Sequence, residues 1–371
     1  MSEYYLMNKN KKLLLFRVEQ NAVTDEYRCR EVERYADDSV FPPRFSDINT
    51  WVDRRNYAKH KEHLKKWLKE WQIDNIVGFL DMTHALSLND SLWVRPADSD
   101  LTWEQMNLYA NDFTDVVSKT AFEKGLQGLK LSTTSPEFTS EGSFEKCWVR
   151  EDDGVFLYKK SSSGFANAGK EAYSEFYASQ YSAKICNAFV DYDLVKFKGS
   201  LVSRCKMFTN ENEGFVPIYK YLDSDRKYDI EDVVDFLEPY GFVDDFRRMI
   251  VLDAVILNPD RHFGNFGFIV DNDTFEVLRF APVFDHNMAM LARAMPDDME
   301  EIDSQYILGL GHKIGPDYIP VARHCADDKT REVLRALREE PLRLHETYNL
   351  PKERTDFLEK QVHHQIEEIL K

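Results

Sequence analysis

The 371-residue chain is short of positive charge: 48 Lys and Arg stand against 65 Asp and Glu, a formal net charge of −17. An acidic chain repels phosphodiester backbones and anionic lipid, so neither direct nucleic-acid binding nor membrane-surface binding is expected. Cysteine is scarce too. Cys29, Cys147, Cys186, Cys205 and Cys325 are scattered, odd in number and without CxxC spacing. That excludes a disulfide framework or a zinc site as the expectation and fits a reducing compartment. No run approaches the roughly 18 uninterrupted apolar residues of a membrane span. The opening Met1-Ser2-Glu3-Tyr4-Tyr5 carries no basic stretch ahead of an apolar one, so no secretory leader is expected, and the cytoplasm is the expected location. Internal repeats and low-complexity tracts are likewise missing.

What is present suffices for a large core, with 43% apolar and 13% aromatic residues. Disorder is therefore excluded, and the length suits two domains or one bilobal unit with an appendage. Residues 1–130 read as a separate α/β module. Lys12 to Val18 is an expected strand, and Pro42-Pro43 precedes a basic helical segment with an apolar stripe at Leu64, Trp67, Leu68 and Trp71. Its basic residues, among them Lys65, Lys66 and Lys69, read as a solvated face, with a nucleic-acid surface as the rival. The composition turns small and polar at Ser132 to Pro136. Beyond it, strands are expected at Lys146–Glu151, Val155–Lys160, Tyr192–Lys198 and Ser200–Phe208, with a helix at Lys170–Cys186. From Ile230 onward helices dominate, broken by one hairpin at Phe266 to Phe280. Strands first and helices later describe an α+β chain with a β-rich lobe at 131–212 and a helical lobe at 213–371.

The most informative stretch is Leu257-Asn258-Pro259-Asp260-Arg261-His262-Phe263-Gly264-Asn265-Phe266. A helical pattern through Phe246, Met249, Ile250, Ala254 and Leu257 leads into it, and Pro259 forbids continuation. The turn presents Asp260 and, five residues on, Asn265. A hairpin follows, and Asp285 comes immediately after its returning strand. Phosphoryl transfer needs one carboxylate to orient a hydroxyl and accept its proton. It also needs an amide oxygen and a second carboxylate to hold Mg²⁺ against the phosphates of ATP. Asp260, Asn265 and Asp285 answer to those parts. His262 has no His or Cys partner nearby and Mg²⁺ prefers oxygen, so a metal-ligand role is not expected; His262 orients Asp260, stabilises the turn or is a packed loop histidine.

A phosphate-binding lysine should lie on an upstream strand. Lys159 and Lys160 end such a strand and point to opposite faces, so only one can enter the site. The following helix supplies two candidate partners for that lysine, Glu171 and Glu175; Glu175, among apolar neighbours, is the expected one, and the alternative for Glu171 is a surface charge near the helix start. A phosphate-covering loop would fall at Ser140-Glu141-Gly142-Ser143, although Gly142 is its single glycine. Lys206-Met207-Phe208-Thr209, at the end of a strand, suits a hinge whose backbone meets the adenine edge, or an ordinary strand end.

Asn258-Pro-Asp260-Arg-His262-Phe-Gly-Asn265 resembles the N-x-D-x-H-x-x-N loop of HipA-like serine/threonine kinases. Ala281-Pro-Val-Phe-Asp285 is similar to that family's metal-binding segment, and Phe284-Asp285-His-Asn to its CtkA-type variant. Ser140-Glu-Gly142-Ser143-Phe-Glu-Lys146 is similar to the family's phosphate loop. The resemblance implies a bilobal protein-kinase-like fold from about Thr133 onward, with Asp260 as catalytic base. It implies Asn265 and Asp285 as Mg²⁺ ligands and Lys159 as the phosphate-binding lysine. Ser140, Gly142 and Ser143 would lie over the phosphates, and Met207 and Phe208 at the adenine. It also implies a protein substrate, autophosphorylation at Thr139, Ser140 or Ser143, and a small antitoxin-like partner. Residues 1–130 do not match the amino-terminal domain of the best-known toxins. The rivals are a small-molecule kinase of the aminoglycoside or choline type and a nucleotide-binding pseudokinase. The first generally places a His two residues before the Asp, where this chain has Asn258.

Overall fold

The structure, a computed structural model, describes residues 2–21, 26–56, 75–113, 145–315 and 317–371. The stripe at Leu64 to Trp71 and the loop with Ser140, Gly142 and Ser143 lie outside the described residues. Two compact units are present. The first comprises residues 1–157, 209–216 and 269–278, and the second residues 158–208, 217–268 and 279–371.

In the first unit an antiparallel sheet runs in the order β3-β2-β1-β4, from β1 (Ser2–Asn8), β2 (Lys11–Gln20), β3 (Tyr27–Arg34) and β4 (Leu92–Pro96). Leu14, Phe16 and Val18 alternate along β2 and are buried, the period-2 pattern of a half-covered strand. Helix α1 (Ile48–Arg55) starts at Asp47, whose carboxylate accepts from Thr50 N at 2.8 Å. Arg55 at its end forks onto Asp90 at 2.5 and 2.7 Å. Among the described residues this unit also contains helices α2 (Ile76–Thr83) and α3 (Trp103–Met106). The tips at 209–216 and 269–278 belong to this unit through buried amides. Asn8 Nδ2 donates to Asn272 O at 2.7 Å, and Ser91 Oγ donates to Asn8 Oδ1 at 2.5 Å. Gly214 has to be glycine here, because a Cβ would lie 2.3 Å from Asn272 Oδ1 and 2.5 Å from Asn89 O.

Two further sheets follow in the chain. One has the order β5-β6-β8-β7, built from β5 (Lys146–Glu151), β6 (Gly154–Lys160), β7 (Tyr192–Phe197) and β8 (Ser200–Lys206). The other has the order β11-β10-β9, from β9 (Glu213–Pro217), β10 (Gly267–Asp271) and β11 (Val277–Phe280). The expected strands and hairpin are thus present, whereas β1, β3, β4 and β9 were not anticipated from the sequence.

The second unit is mainly helical: α4 (Glu171–Ile185), α5 (Ile230–Leu237), α6 (Val243–Val255), α7 (Gln305–Leu308), α8 (Tyr318–Cys325), α9 (Asp328–Leu337) and α10 (Lys352–Leu370). Helix α4 is buried on nearly every side, which its Ala and Ser residues permit. Two of its serine hydroxyls are satisfied locally, Ser179 Oγ donating to Phe176 O at 2.9 Å and Ser182 Oγ to Ala178 O at 3.2 Å, whereas Ser174 Oγ reaches His286 O at 2.5 Å. Helix α6 packs against α4 and α8 and buries every residue from Arg248 to Val255.

Candidate active site

The site is assembled within the second unit. Lys159, near the end of β6, donates to Glu175 Oε1 at 2.7 Å and to Asp285 Oδ1 at 2.8 Å. Strand, helix and post-hairpin segment thereby meet at one ammonium. Glu175 is buried, and its other oxygen accepts from the Ser203 hydroxyl on β8. Burial works against the Lys159 charge, but the Asp285 and Glu175 carboxylates outweigh it and hold its pKa well above the ordinary lysine value. Burial also raises the Glu175 pKa, with Lys159 opposing it. Asp285 has a left-handed backbone, φ 63°, a conformation that Asp adopts more readily than most side chains. Its N–H donates to the Tyr192 hydroxyl of β7 at 3.1 Å, which fixes the turn against the sheet.

The turn carrying Asp260 begins earlier than Pro259 alone would dictate. Helix α6 ends at Val255, Leu257 takes a left-handed φ of 52°, and Asn258 N donates to Asp253 O at 2.8 Å. This six-to-one closure swings the chain back over its own helix. Asn258 Nδ2 then donates to Asp253 Oδ1 at 3.0 Å, and Asn258 Oδ1 accepts from Asp260 N at 3.2 Å. Asn265 closes the turn, its Nδ2 donating to Asp260 O at 3.3 Å. His262 Nδ1 accepts from Gly264 N at 3.0 Å, so the proton of the neutral ring sits on Nε2. Burial pushes the His262 pKa down, which keeps the ring neutral.

Arg261 joins the Asp260 turn to the segment that precedes Asp285. It is wholly buried and forks onto Asp253, Nε to Oδ2 and Nη2 to Oδ1, both at 3.0 Å. Its Nη1 donates to Asn265 O at 3.1 Å and to Phe284 O at 2.6 Å. One nitrogen thus holds the end of the Asp260 turn and the residue before Asp285. Nη2 also donates to His286 Nδ1 at 3.2 Å. A guanidinium cannot accept, so His286 carries its proton on Nε2 and donates it to Ser182 Oγ, 3.1 Å away on α4. Burial and then Arg261 push the His286 pKa well below the usual value, consistent with a neutral ring.

Of the residues expected at the site, Lys159, Glu175 and Asp285 are in direct contact. Asp260, His262 and Asn265 share one turn, linked to Asp285 through Arg261. Met207 and Phe208 lie just beyond β8, which ends at Lys206 rather than at Phe208, and the Phe208 ring lies 5.3 Å from that of Phe284. Glu171 departs from expectation. It is buried rather than on the surface, accepting from Arg293 Nη2 at 2.9 Å and from the Ser162 hydroxyl. Sequence reasoning missed Arg261, Asp253, Ser203 and Lys313, the last of which reaches Asp260 Oδ1 at 2.5 Å. Only the position of Arg261 inside the motif could have drawn notice, and nothing in the sequence says it is buried.

Among the described residues no cluster of three or more His, Cys, Asp or Glu side chains could hold a metal. The oxygen pair that remains is the Asn265 amide and the Asp285 carboxylate, hard donors of the kind Mg²⁺ takes when phosphate oxygens and water complete its shell. These residues fit the ion.

No protein-family model matches the chain, and no curated protein does. Among solved structures, it resembles the chain in the Shewanella oneidensis MR-1 toxin–antitoxin complex of HipA, HipB and operator DNA. The TM-score is 0.53 at 13% identity, over 99% of this chain and 96% of that one. The fold is the kinase-like fold of HipA. The proinflammatory kinase CtkA of Helicobacter pylori is also similar, at a TM-score of 0.49 and 17% identity over 62% of this chain and 92% of that one.

Proposed function

We propose that the chain is an ATP- and Mg²⁺-dependent serine/threonine protein kinase of HipA-like type. The observation that carries this reading is the double tie of Arg261, which brings the Asp260–Asn265 turn beside Asp285, whose carboxylate already meets Lys159. In the reaction the substrate hydroxyl oxygen attacks the γ-phosphorus and the bond to the bridging oxygen breaks, so that ADP leaves with the electron pair. The hydroxyl proton passes to the Asp260 carboxylate. Lys159, oriented by Glu175, neutralises the phosphates. Asn265 and Asp285 would hold Mg²⁺, which would supply further charge neutralisation. His262 keeps the turn in shape, and Met207 and Phe208 border the adenine. Ser140, Gly142 and Ser143 would cover the phosphates.

On this reading residues 131–212 and 213–371 are the kinase lobes and 1–130 an accessory module. The HipA relative assembles with HipB and operator DNA, and by analogy a small antitoxin-like protein is the partner proposed here. The cytoplasm is the location proposed, since the five cysteines are free and buried, as in a reducing compartment; no helix among the described residues is long and apolar enough to cross a membrane.

Incubation with γ-labelled ATP, alone and with a cell lysate, tests the proposal. Label on this chain or on lysate proteins, abolished by Asp260→Asn with ATP binding retained, is expected. Label on a sugar or amino alcohol instead would make the chain a small-molecule kinase. Nucleotide binding without any transfer would make it a pseudokinase.

A further inference from the structure

The Asp260 turn contributes one cation, Arg261, and that cation is consumed. Its guanidinium is wholly buried on Asp253, Asn265 O, Phe284 O and His286. It has no exposure with which to meet a phosphoryl group. The Lys159 ammonium meets Glu175 and Asp285 rather than the Asp260 carboxylate. Charge on the Asp260 side of a transferred phosphoryl group has to come from a different segment.

Lys313 is that segment's contribution. It lies in the loop between α7 and α8, and its Nζ meets Asp260 Oδ1 at 2.5 Å. The loop is anchored on both sides of the lysine. His312 and Ile314 are buried, the His312 ring standing edge-on to Tyr318 with centroids 4.7 Å apart. Gly315 packs so closely that a Cβ would lie 2.6 Å from Ile230 Cδ1. Two buried neighbours turn the Lys313 side chain outward, where it is 49% exposed. An ion pair this accessible contributes little to stability, so stability does not account for it.

We propose that Lys313 is a catalytic residue whose ammonium spans the Asp260 carboxylate and the γ-phosphoryl group during transfer. The inference rests on the kinase reading given above. A hydroxyl that donates to Asp260 lies about 3 Å from the carboxylate, and its oxygen attacks phosphorus from about 3–3.5 Å. An ammonium already on Oδ1 is therefore within reach of a peripheral γ-oxygen. It has three donors, enough to serve carboxylate and phosphoryl oxygen together. Since Lys313 engages Oδ1, Oδ2 is the oxygen that takes the hydroxyl proton. Lys313 keeps its own proton and charge throughout.

Two measurements on the full chain test this. In kinetics, Lys313→Met is expected to lower kcat by about 10²–10³-fold, the usual loss on removing one transition-state donor. The KM for ATP should change by less than about threefold, and Lys313→Arg should recover part of the rate. In footprinting, the wild-type chain is acetylated with and without nucleotide and Lys313 modification is read by mass spectrometry. The Mg²⁺ complex of the non-hydrolysable β,γ-imido analogue of ATP should protect Lys313 more than Mg²⁺ and ADP do. Wild-type kcat in Lys313→Met, or equal modification with the two nucleotides, overturns the assignment. A wild-type chain that transfers no phosphate but shows the selective protection would sink the kinase reading and leave the lysine contact standing.

Discussion

Arg261 and Asp253 form a two-point ion pair in which neither side chain has any solvent exposure. The pair spans helix α6 and the Asp260 turn, and the remaining Arg261 hydrogen bonds go to Asn265 O, Phe284 O and His286 Nδ1. Burial opposes the Arg261 charge, but Asp253 outweighs it and raises the guanidinium pKa.

Arg261→Met should therefore lose structure and activity together. Removing one partner leaves Asp253 as an uncompensated buried charge, a loss of about 3–5 kcal/mol. Urea denaturation followed by circular dichroism reads the stability. Arg261→Met combined with Asp253→Leu should restore part of that stability but none of the activity, because the tie between Asn265 and Phe284 is still missing. Full activity in the double variant would refute the role given to Arg261.

Lys159→Met should leave the chain folded but lower kcat/KM for ATP by about 10²–10³-fold, as expected for a preorganised cation facing the phosphates. Steady-state kinetics with circular dichroism as a fold control measures it. An unchanged kcat/KM would remove Lys159 from the site.

His312 makes stability depend on pH. Burial pushes its pKa down to about 4, so the unfolded chain binds the proton more readily than the folded one. Its contribution is complete above the ordinary histidine value and is lost as pH falls from there toward 4. The loss should reach about 3 kcal/mol at pH 4 relative to pH 7. Denaturation midpoints across this range provide the measurement, and His312→Phe should flatten that part of the curve.

Gly214→Ala should destabilise the first unit by about 1–3 kcal/mol, since the added methyl meets a backbone oxygen at Asn89 and the buried Asn272 amide. Thermal unfolding reads the effect. A melting temperature equal to wild type would mean that this loop yields easily.

The strands at 146–151, 154–160, 192–197 and 200–206 and the hairpin of β10 and β11 were legible because local apolar alternation and turn residues specify them. The turn from Asp260 to Asn265 was legible for a different reason: spacing within one short loop needs no long-range contact to be read. The end of helix α6 was misjudged, because Pro259 is a visible breaker whereas a left-handed Leu257 has no signature in composition. Glu171 was misjudged similarly. Its burial depends on Arg293, more than a hundred residues away in sequence.

The order and spacing of Asp260, Asn265 and Asp285 were properties of the chain alone, since side chains on a single turn and hairpin are placed by local backbone geometry. Which cations face them was decided by tertiary structure. Lys159 meets Glu175 and Asp285, Arg261 disappears beneath the turn, and Lys313 arrives from a loop some fifty residues downstream. Charges pair across space according to burial and distance, and neither quantity exists until the helices and sheets have packed.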